Sequence, residues 1–273
     1  MKEQELISVI VITYNSENTI LDTLDSINNQ TYTNIEIVVS DDCSEDKTLE
    51  LVRDYAHING NVIIVPDEKN RGVPANVNKG IRAATGRFFK IIAGDDILEP
   101  FSIDAYKKHY EENVITVSDF SVFGSENEEV MEKTKKYFAR LCFFYNLPQK
   151  KQRKVLAACS PICTPATGLI SNELLEKVGY FSERYRYMED YPFYFKCANN
   201  GICFKYLDEK LVRYRVSKNS LSHSFSKKSY RCARQFFFEE RGKYLLKNMQ
   251  FFAFIKNAAY YLKYDFLIKF NKV

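Results

Sequence analysis

Apolar positions alternate between two rhythms over the first hundred residues. Ser8 to Thr13, SVIVIT, is an unbroken β-branched run, which predicts a buried parallel strand. A polar turn follows from Tyr14 to Glu17. Thr19 to Asn28 then places Ile20, Leu21, Leu24 and Ile27 on one helical face. Ile35 to Ser40 is a second buried strand, with a loop from Asp41 to Asp46. Thr48 to Ala56 predicts a helix with Leu49, Val52 and Tyr55 inward, and Val62 to Val65 a third strand. Gly72 to Ala84 contains another helix, ended by a turn at Gly86. Phe88 to Ala93 is a fourth strand, whose loop carries Gly94, Asp95 and Asp96. Four strand–helix alternations predict an α/β fold with a mostly parallel, doubly wound sheet. Ligands of such sheets bind beyond the carboxyl ends of strands, where the polar clusters of this chain lie.

The second half is less regular. Pro161 to Ile170 reads as a loop entering a strand, and Ser171 to Val178 as a short helix with Ser171 as N-cap. Asp190 to Asn199 reads as helix, and Cys203–Leu207 and Lys210–Tyr214 as two short strands. Glu126 to Glu132 is acidic. Lys133 to Lys154 holds eight basic residues and no acid, interleaved with aromatics. From Phe236 onward the chain reads as an aromatic, basic helical tail. These boundaries predict a main α/β unit over residues 1–225, with a tail over 226–273.

Composition narrows the functional classes. The chain has 273 residues, 45% hydrophobic and 27% charged, as in an ordinary globular protein. Its net charge of +4 is too small and too dispersed to predict nucleic-acid binding. The N-terminus lacks the pattern of a secretory signal, and no apolar run is long enough for a membrane helix. Seven irregularly spaced cysteines predict reduced thiols in a cytoplasmic protein. Cys159 and Cys163 have no second ligand pair nearby, which argues against zinc. His57 and His109 fall on polar helical faces. There is no P-loop, no G-x-G-x-x-G after the first strand and no G-x-S-x-G elbow.

Two carboxylate pairs stand out: Asp41 with Asp42, and Asp95 with Asp96. One such pair is readily a solvated turn. Two pairs at neighbouring strand ends point to a site, because adjacent carboxylates repel unless a cation or donors sit against them. Hard ions such as Mg²⁺ and Mn²⁺ prefer these oxygens and bridge to phosphate. Asn70, Arg71 and Gly72 after the third strand form either a plain turn or a close backbone approach to a ligand. Glu189 and Asp190 lie amid Tyr187, Tyr191 and Phe193. They are equally readable as a helix cap and as a desolvated general base.

With these residues in view, the chain resembles the family 2 glycosyltransferases, over about Leu6 to His223. The resemblance rests on SVIVITYNSENTILDTLDSINNQTYTNIEIVVSDDCSEDKT, NRGVPANVNKGIRAATGRFFKIIAGDDIL and VGYFSERYRYMEDYPFYFKC, in that order. It implies a GT-A-type nucleotide-binding sheet and transfer of a sugar, with inversion, from a nucleotide-diphosphate donor to a hydroxyl. Family habit points to a uridine donor. Thr13, Tyr14 and Glu17 are implied to line the nucleotide pocket, with Asn70, Gly72 and Asn78 nearby. Asp41 and Asp42 are implied to reach the base, Asp95 to face the ribose, and Asp96 to bind Mn²⁺ or Mg²⁺. Asp190 is implied as the catalytic base, with Glu189 beside it.

Two departures stand in the pattern. Val77–Asn78 replaces a frequent Arg–Asn pair, and Ser217 occupies a frequent histidine position, leaving His223 as the substitute metal ligand. The resemblance also implies a saccharide or lipid-linked acceptor at the inner membrane face, for surface polysaccharide. The tail is then either a peripheral membrane contact or a subdomain packed on the catalytic unit. A non-catalytic nucleotide-sugar-binding module and a sugar nucleotidyltransferase are the competing readings. The first would need no base, and the second usually carries a glycine-rich loop where TYNSEN stands.

Overall fold

A computed structural model describes residues 4–124, 132, 142–159, 168–216 and 227–269. Its strands are β1 (Ile7–Thr13), β2 (Ile35–Asp41), β3 (Val62–Pro66), β4 (Phe88–Ala93), β5 (Ile97–Leu98), β6 (Val114–Phe123), β7 (Ile170–Ser171) and β8 (Cys203–Arg215). The helices are α1 (Ile20–Asn28), α2 (Thr48–Asn59), α3 (Val73–Ala83), α4 (Ser102–Lys108), α5 (Cys142–Tyr145), α6 (Gln149–Ala158), α7 (Asn172–Val178), α8 (Asp190–Asn199) and α9 (Lys227–Phe236). After α9 come a π-helical turn (Phe237–Arg241), α10 (Gly242–Lys247) and α11 (Phe251–Lys269).

The main sheet runs β3-β2-β1-β4-β7. The first four strands are parallel, and β7 closes the edge antiparallel to β4. The unbroken runs of β1 and β2 are buried because α1, α2 and α3 cover the sheet's faces. Register aligns Thr13 with Asp41 and Ile12 with Ala93. The loops after β1, β2 and β4 therefore leave one edge of the sheet together, because the three strands run parallel in aligned register. A second sheet runs β5-β8-β6. Because β5 begins at Ile97, the Asp95–Asp96 turn joins the two sheets.

Several local expectations shift. The two short strands expected at 203–207 and 210–214 are one strand, β8. Its register against β6 jumps from Ser118↔Leu207 to Asp119↔Lys210, so Asp208 and Glu209 bulge out of an otherwise continuous ladder. Leu21 is exposed and Thr23 takes its inward place, held by a bond from Thr23 Oγ1 to the Asp96 carbonyl at 2.8 Å. Gly86 does not end α3, which stops at Ala83. A Cβ at Gly86 would lie 2.5 Å from Ser8 Oγ, so this glycine lets the chain press against β1. Ser171 caps α7 as expected, its hydroxyl accepting the Leu174 N–H. The C-terminal helices are present, and α9 buries Phe236 against the rings of Tyr185, Tyr191 and Phe195. That contact fixes the start of α8, where Asp190 sits.

Candidate functional site

The loops after β1 and β2 clasp each other. Asn15, at a left-handed φ of 52°, donates its N–H to Ser44 Oγ and accepts from the Glu45 N–H, both at 2.8 Å. The Ser16 N–H reaches Thr48 Oγ1, and the Glu17 N–H reaches Asp46 Oδ2. Glu17 Oε2 accepts the Lys47 N–H at 3.0 Å. The Glu17 carboxylate thus holds one loop to the other. Tyr14 stands at the lip, 47% exposed. Thr13 Oγ1 is buried without a hydrogen-bond partner, and a Cβ on Gly94 would lie 3.1 Å from it. An orphaned hydroxyl between two strand-end loops is a polar group awaiting a ligand or water.

Donors of neighbouring loops engage both carboxylates of the Asp41–Asp42 pair. Asp41 is fully buried and its two oxygens accept from the Ser44 N–H and hydroxyl. Asp42 accepts the backbone N–H groups of Arg71 (2.6 Å) and Gly72 (2.8 Å). Both carboxylates therefore order loops, and Asp42 pulls the segment after β3 onto the end of β2. Gly72 has a φ of 90°, and a Cβ there would lie 2.4 Å from Arg186 Cγ and 2.8 Å from the Arg186 carbonyl. Arg186 in turn donates to the Asn70 carbonyl and to Asn70 Oδ1. Asn78 is buried under the same segment. Its amide donates to the Phe181 carbonyl and to Glu183, and accepts the Phe181 N–H. Asn70, Gly72 and Asn78 thus position residues 181–186, three residues ahead of Glu189.

The Asp95–Asp96 turn carries the strongest electrostatics. Asp96 is 3% exposed. Burial first, and then the neighbouring Asp95 charge, push its carboxyl up to about 8. Burial raises Asp95 as well. Arg215, the last residue of β8, answers this cost. Its backbone N–H donates to Asp96 Oδ1 at 2.9 Å, its Nε to the Asp95 carbonyl at 2.8 Å, and its Nη2 reaches Asp22. Beneath the turn, Lys90 on β4 is fully buried, with its ammonium 5.0 Å from the Tyr106 ring centre. Burial pushes it down to about 7, and Asp96 opposes that shift.

Glu189 precedes α8 and Asp190 is its first residue; both are half-buried. Burial raises the Glu189 carboxyl above its ordinary value, which makes its carboxylate a stronger proton acceptor. His223 and Ser217 lie outside the described residues. Among the described residues no three His, Cys, Asp or Glu side chains gather to hold a metal. The Asp95–Asp96 turn nonetheless fits a hard divalent ion. It offers carboxylate oxygens whose charged form is disfavoured by burial and by each other, and a cation would relieve both. Mg²⁺ in particular is held by one or two carboxylates, with phosphate oxygens and water completing its shell.

Arg186, Arg215 and Lys90 were not singled out from the sequence. Arg215 stands two residues before Ser217, the position where the chain departs from the family pattern, and that proximity is its only signal. Lys90 sits in an apolar strand, FFKIIA, where a lone charge was itself a clue.

The comparisons with known proteins agree with this architecture. The model of "Glycosyl transferase family 2" matches residues 8–179. An uncharacterized glycosyltransferase of Haemophilus influenzae is 28% identical over 252 residues, 90% of this chain and 76% of that protein. Among solved structures, Staphylococcus aureus TarS 1–349 in complex with UDP-GlcNAc is 22% identical with a TM-score of 0.62. The match covers 84% of this chain and 64% of that one. In a longer TarS chain it covers only 39% of the length. The mannosyltransferase PcManGT from Pyrobaculum calidifontis, in complex with GDP-Man and Mn²⁺, is 21% identical with a TM-score of 0.60. That match covers 90% of this chain and 65% of that one. At these identities the structural likenesses speak for the shared GT-A-type fold.

Proposed function

Because this chain belongs to glycosyl transferase family 2, and is a glycosyltransferase, we propose that it moves a sugar from a UDP-linked donor to a hydroxyl acceptor, with inversion and with Mn²⁺ or Mg²⁺. The acceptor is a saccharide or lipid-linked saccharide, met on the cytoplasmic side during surface polysaccharide synthesis. Residues 1–100 form the donor half, residues 101–225 the acceptor half, and residues 226–273 the tail.

The observation that carries this reading is the Asp95–Asp96 turn, a carboxylate pair with Asp96 buried and Asp95 half-buried, at the strand-end edge where three loops converge. Asp96 holds the ion and Asp95 faces the ribose. The ion, when bound, neutralises charge building on the departing diphosphate. Thr13, Tyr14 and Glu17 line the nucleotide, and the Thr13 hydroxyl gains the partner it lacks. Asp41 and Asp42 sit at the base, with Asp42 acting chiefly by fixing Arg71 and Gly72. Asn70 and Asn78 act by holding residues 181–186. Asp190 takes the proton of the acceptor hydroxyl as its oxygen attacks the anomeric carbon. The bond from that carbon to the phosphate oxygen breaks, and the electron pair leaves with the diphosphate. Glu189 orients the base or the acceptor.

The neighbours TarS and PcManGT, solved with UDP-GlcNAc and with GDP-Man and Mn²⁺, lend support to a nucleotide-sugar donor and a divalent ion. The test is release of nucleoside diphosphate from a panel of nucleotide sugars, with Mn²⁺ or with chelator. Water serves as acceptor where no better one is known, and NMR reads the anomeric configuration of the product. Turnover only with metal and with inverted configuration is expected. Retained configuration overturns the single displacement. Binding without turnover favours a non-catalytic module, and sugar-nucleotide synthesis from a nucleoside triphosphate favours a nucleotidyltransferase.

A further inference from the structure

Helix α11 is apolar on two opposite faces, and only one of them is covered. The inner face packs on the rest of the chain. Phe254 and Tyr261 meet the Phe237 ring, and Asn257 bonds Arg241 and the Ala158 carbonyl. Asp265 takes Arg234 and the Tyr230 hydroxyl. The outer face repeats at three- and four-residue steps: Phe252, Ile255, Ala259, Leu262 and Phe266. At 100° per residue these positions span an arc of about 80°. Phe252 is 83% exposed, Ile255 64% and Leu262 61%. Exposed Lys256 and Lys263 flank the stripe on one side. Just before the helix, Leu246 and Met249 are also exposed. A soluble surface rarely leaves a contiguous apolar stripe of this length facing water.

We propose that this face of α11 lies on an anionic lipid surface. The helix is parallel to the membrane plane, its apolar stripe sits among the acyl chains and its lysines meet the headgroups. Charge selects this occupant. No acid occupies an exposed position of α11. The three acids of residues 227–269 each have a partner on this chain: Glu239 pairs with Arg184, the exposed Glu240 accepts the Tyr185 hydroxyl, and Asp265 pairs with Arg234. The neighbouring α6 adds exposed Lys150, Lys151, Arg153 and Lys154 without an acid. A second copy docking stripe to stripe would bring lysine toward lysine with no carboxylate to answer, which disfavours a dimer. Among the described residues no helix is long and apolar enough to cross a membrane, so α11 rests on the bilayer rather than spanning it. Lysine side chains reach from such a position to phosphate while their stems stay among apolar atoms. The inference does not require the donor or acceptor assignment.

The experiment is co-sedimentation of the full chain with phosphatidylglycerol-containing vesicles and with pure phosphatidylcholine vesicles, at low and high salt. Two double variants are compared with the parent, I255D/L262D and K256Q/K263Q. Both alter exposed side chains, so an unchanged melting temperature verifies the fold; if one misfolds, the other carries the test. Binding to the anionic vesicles, weakened by salt, is expected. K256Q/K263Q weakens it by roughly 25-fold, at about fivefold per interfacial lysine. I255D/L262D abolishes it. The proposal is overturned if the parent stays in the supernatant with both vesicles, or if I255D/L262D sediments as the parent does. It is equally overturned if light scattering shows a dimer that I255D/L262D dissociates while vesicle binding is absent.

Discussion

Replacing Asp96 with Asn separates the electrostatic role of this residue from its shape. Asn keeps the Oδ1 that accepts the Arg215 N–H but carries no charge. The native carboxyl is raised from its ordinary 3.8 up to about 8, by burial and then by Asp95. A rise of that size amounts to about 6 kcal/mol as a ceiling. Asp95 and Lys90 titrate with it, so the measurable part is smaller. The sign follows from proton counts. Between pH 4 and pH 8 the folded protein holds a proton on Asp96 that the unfolded chain has released. Stability therefore falls as pH rises through that window, by at most about 1.4 kcal/mol per pH unit. Lys90, pushed down to about 7, works in the opposite direction only above that value, so a scan ending at pH 7 isolates Asp96. In urea denaturation with chelator, Asp96→Asn should gain about 2 kcal/mol relative to the parent between pH 5 and pH 7. In thermal melts the same change is about 5 °C. A variant that differs from the parent by the same amount at every pH would refute the claim that Asp96 is held protonated by burial.

Asp190→Asn should leave donor affinity unchanged in calorimetry while lowering kcat by about 10²- to 10⁴-fold, the worth of a positioned base. Gly72→Ala forces a left-handed φ and a contact with the Arg186 backbone. It should cost about 1–3 kcal/mol in urea denaturation and lower kcat by displacing the segment that precedes Glu189. Lys90→Met removes the buried ammonium that opposes the Asp96 shift. The loss of stability with rising pH should then continue above pH 8, as read from denaturation curves at pH 7, 8 and 9.

The parallel sheet of the first hundred residues was legible because its elements carry strong local signals. Unbroken β-branched runs at Val9–Ile12 and Ile37–Val39 have no place but a covered parallel sheet. The loops that follow inherit their position from the shared register. What sequence could not show is where polar side chains spend their hydrogen bonds. Asp42 and Asn78 look like ligand groups by type, yet one holds the Arg71–Gly72 turn and the other the Phe181–Glu183 segment. Both partners are distant along the chain, at separations no local pattern reports. The sequence divides strand β8 in two because Asp208 and Glu209 interrupt its apolar alternation. Pairing with β6 tolerates them as a bulge, a tertiary effect. Arg215 was hidden for the same reason, since its three contacts lie on α1 and on the turn after β4. The tail's aromatic richness was plain, but only the structure divides it into an inner face on Phe237 and an outer stripe.

The central claim is that the Asp95–Asp96 turn receives a nucleoside diphosphate through a divalent ion. Thermal stability of the purified protein tests it most directly, with UDP, GDP, CDP and dTDP, each with Mn²⁺ and with chelator, for the parent and for Asp96→Asn. A ligand that binds only the folded state must raise the midpoint. A rise with UDP that requires Mn²⁺ and is absent in Asp96→Asn is the predicted result. Equal midpoints with and without every nucleotide, or a rise indifferent to metal and to Asp96, would contradict it.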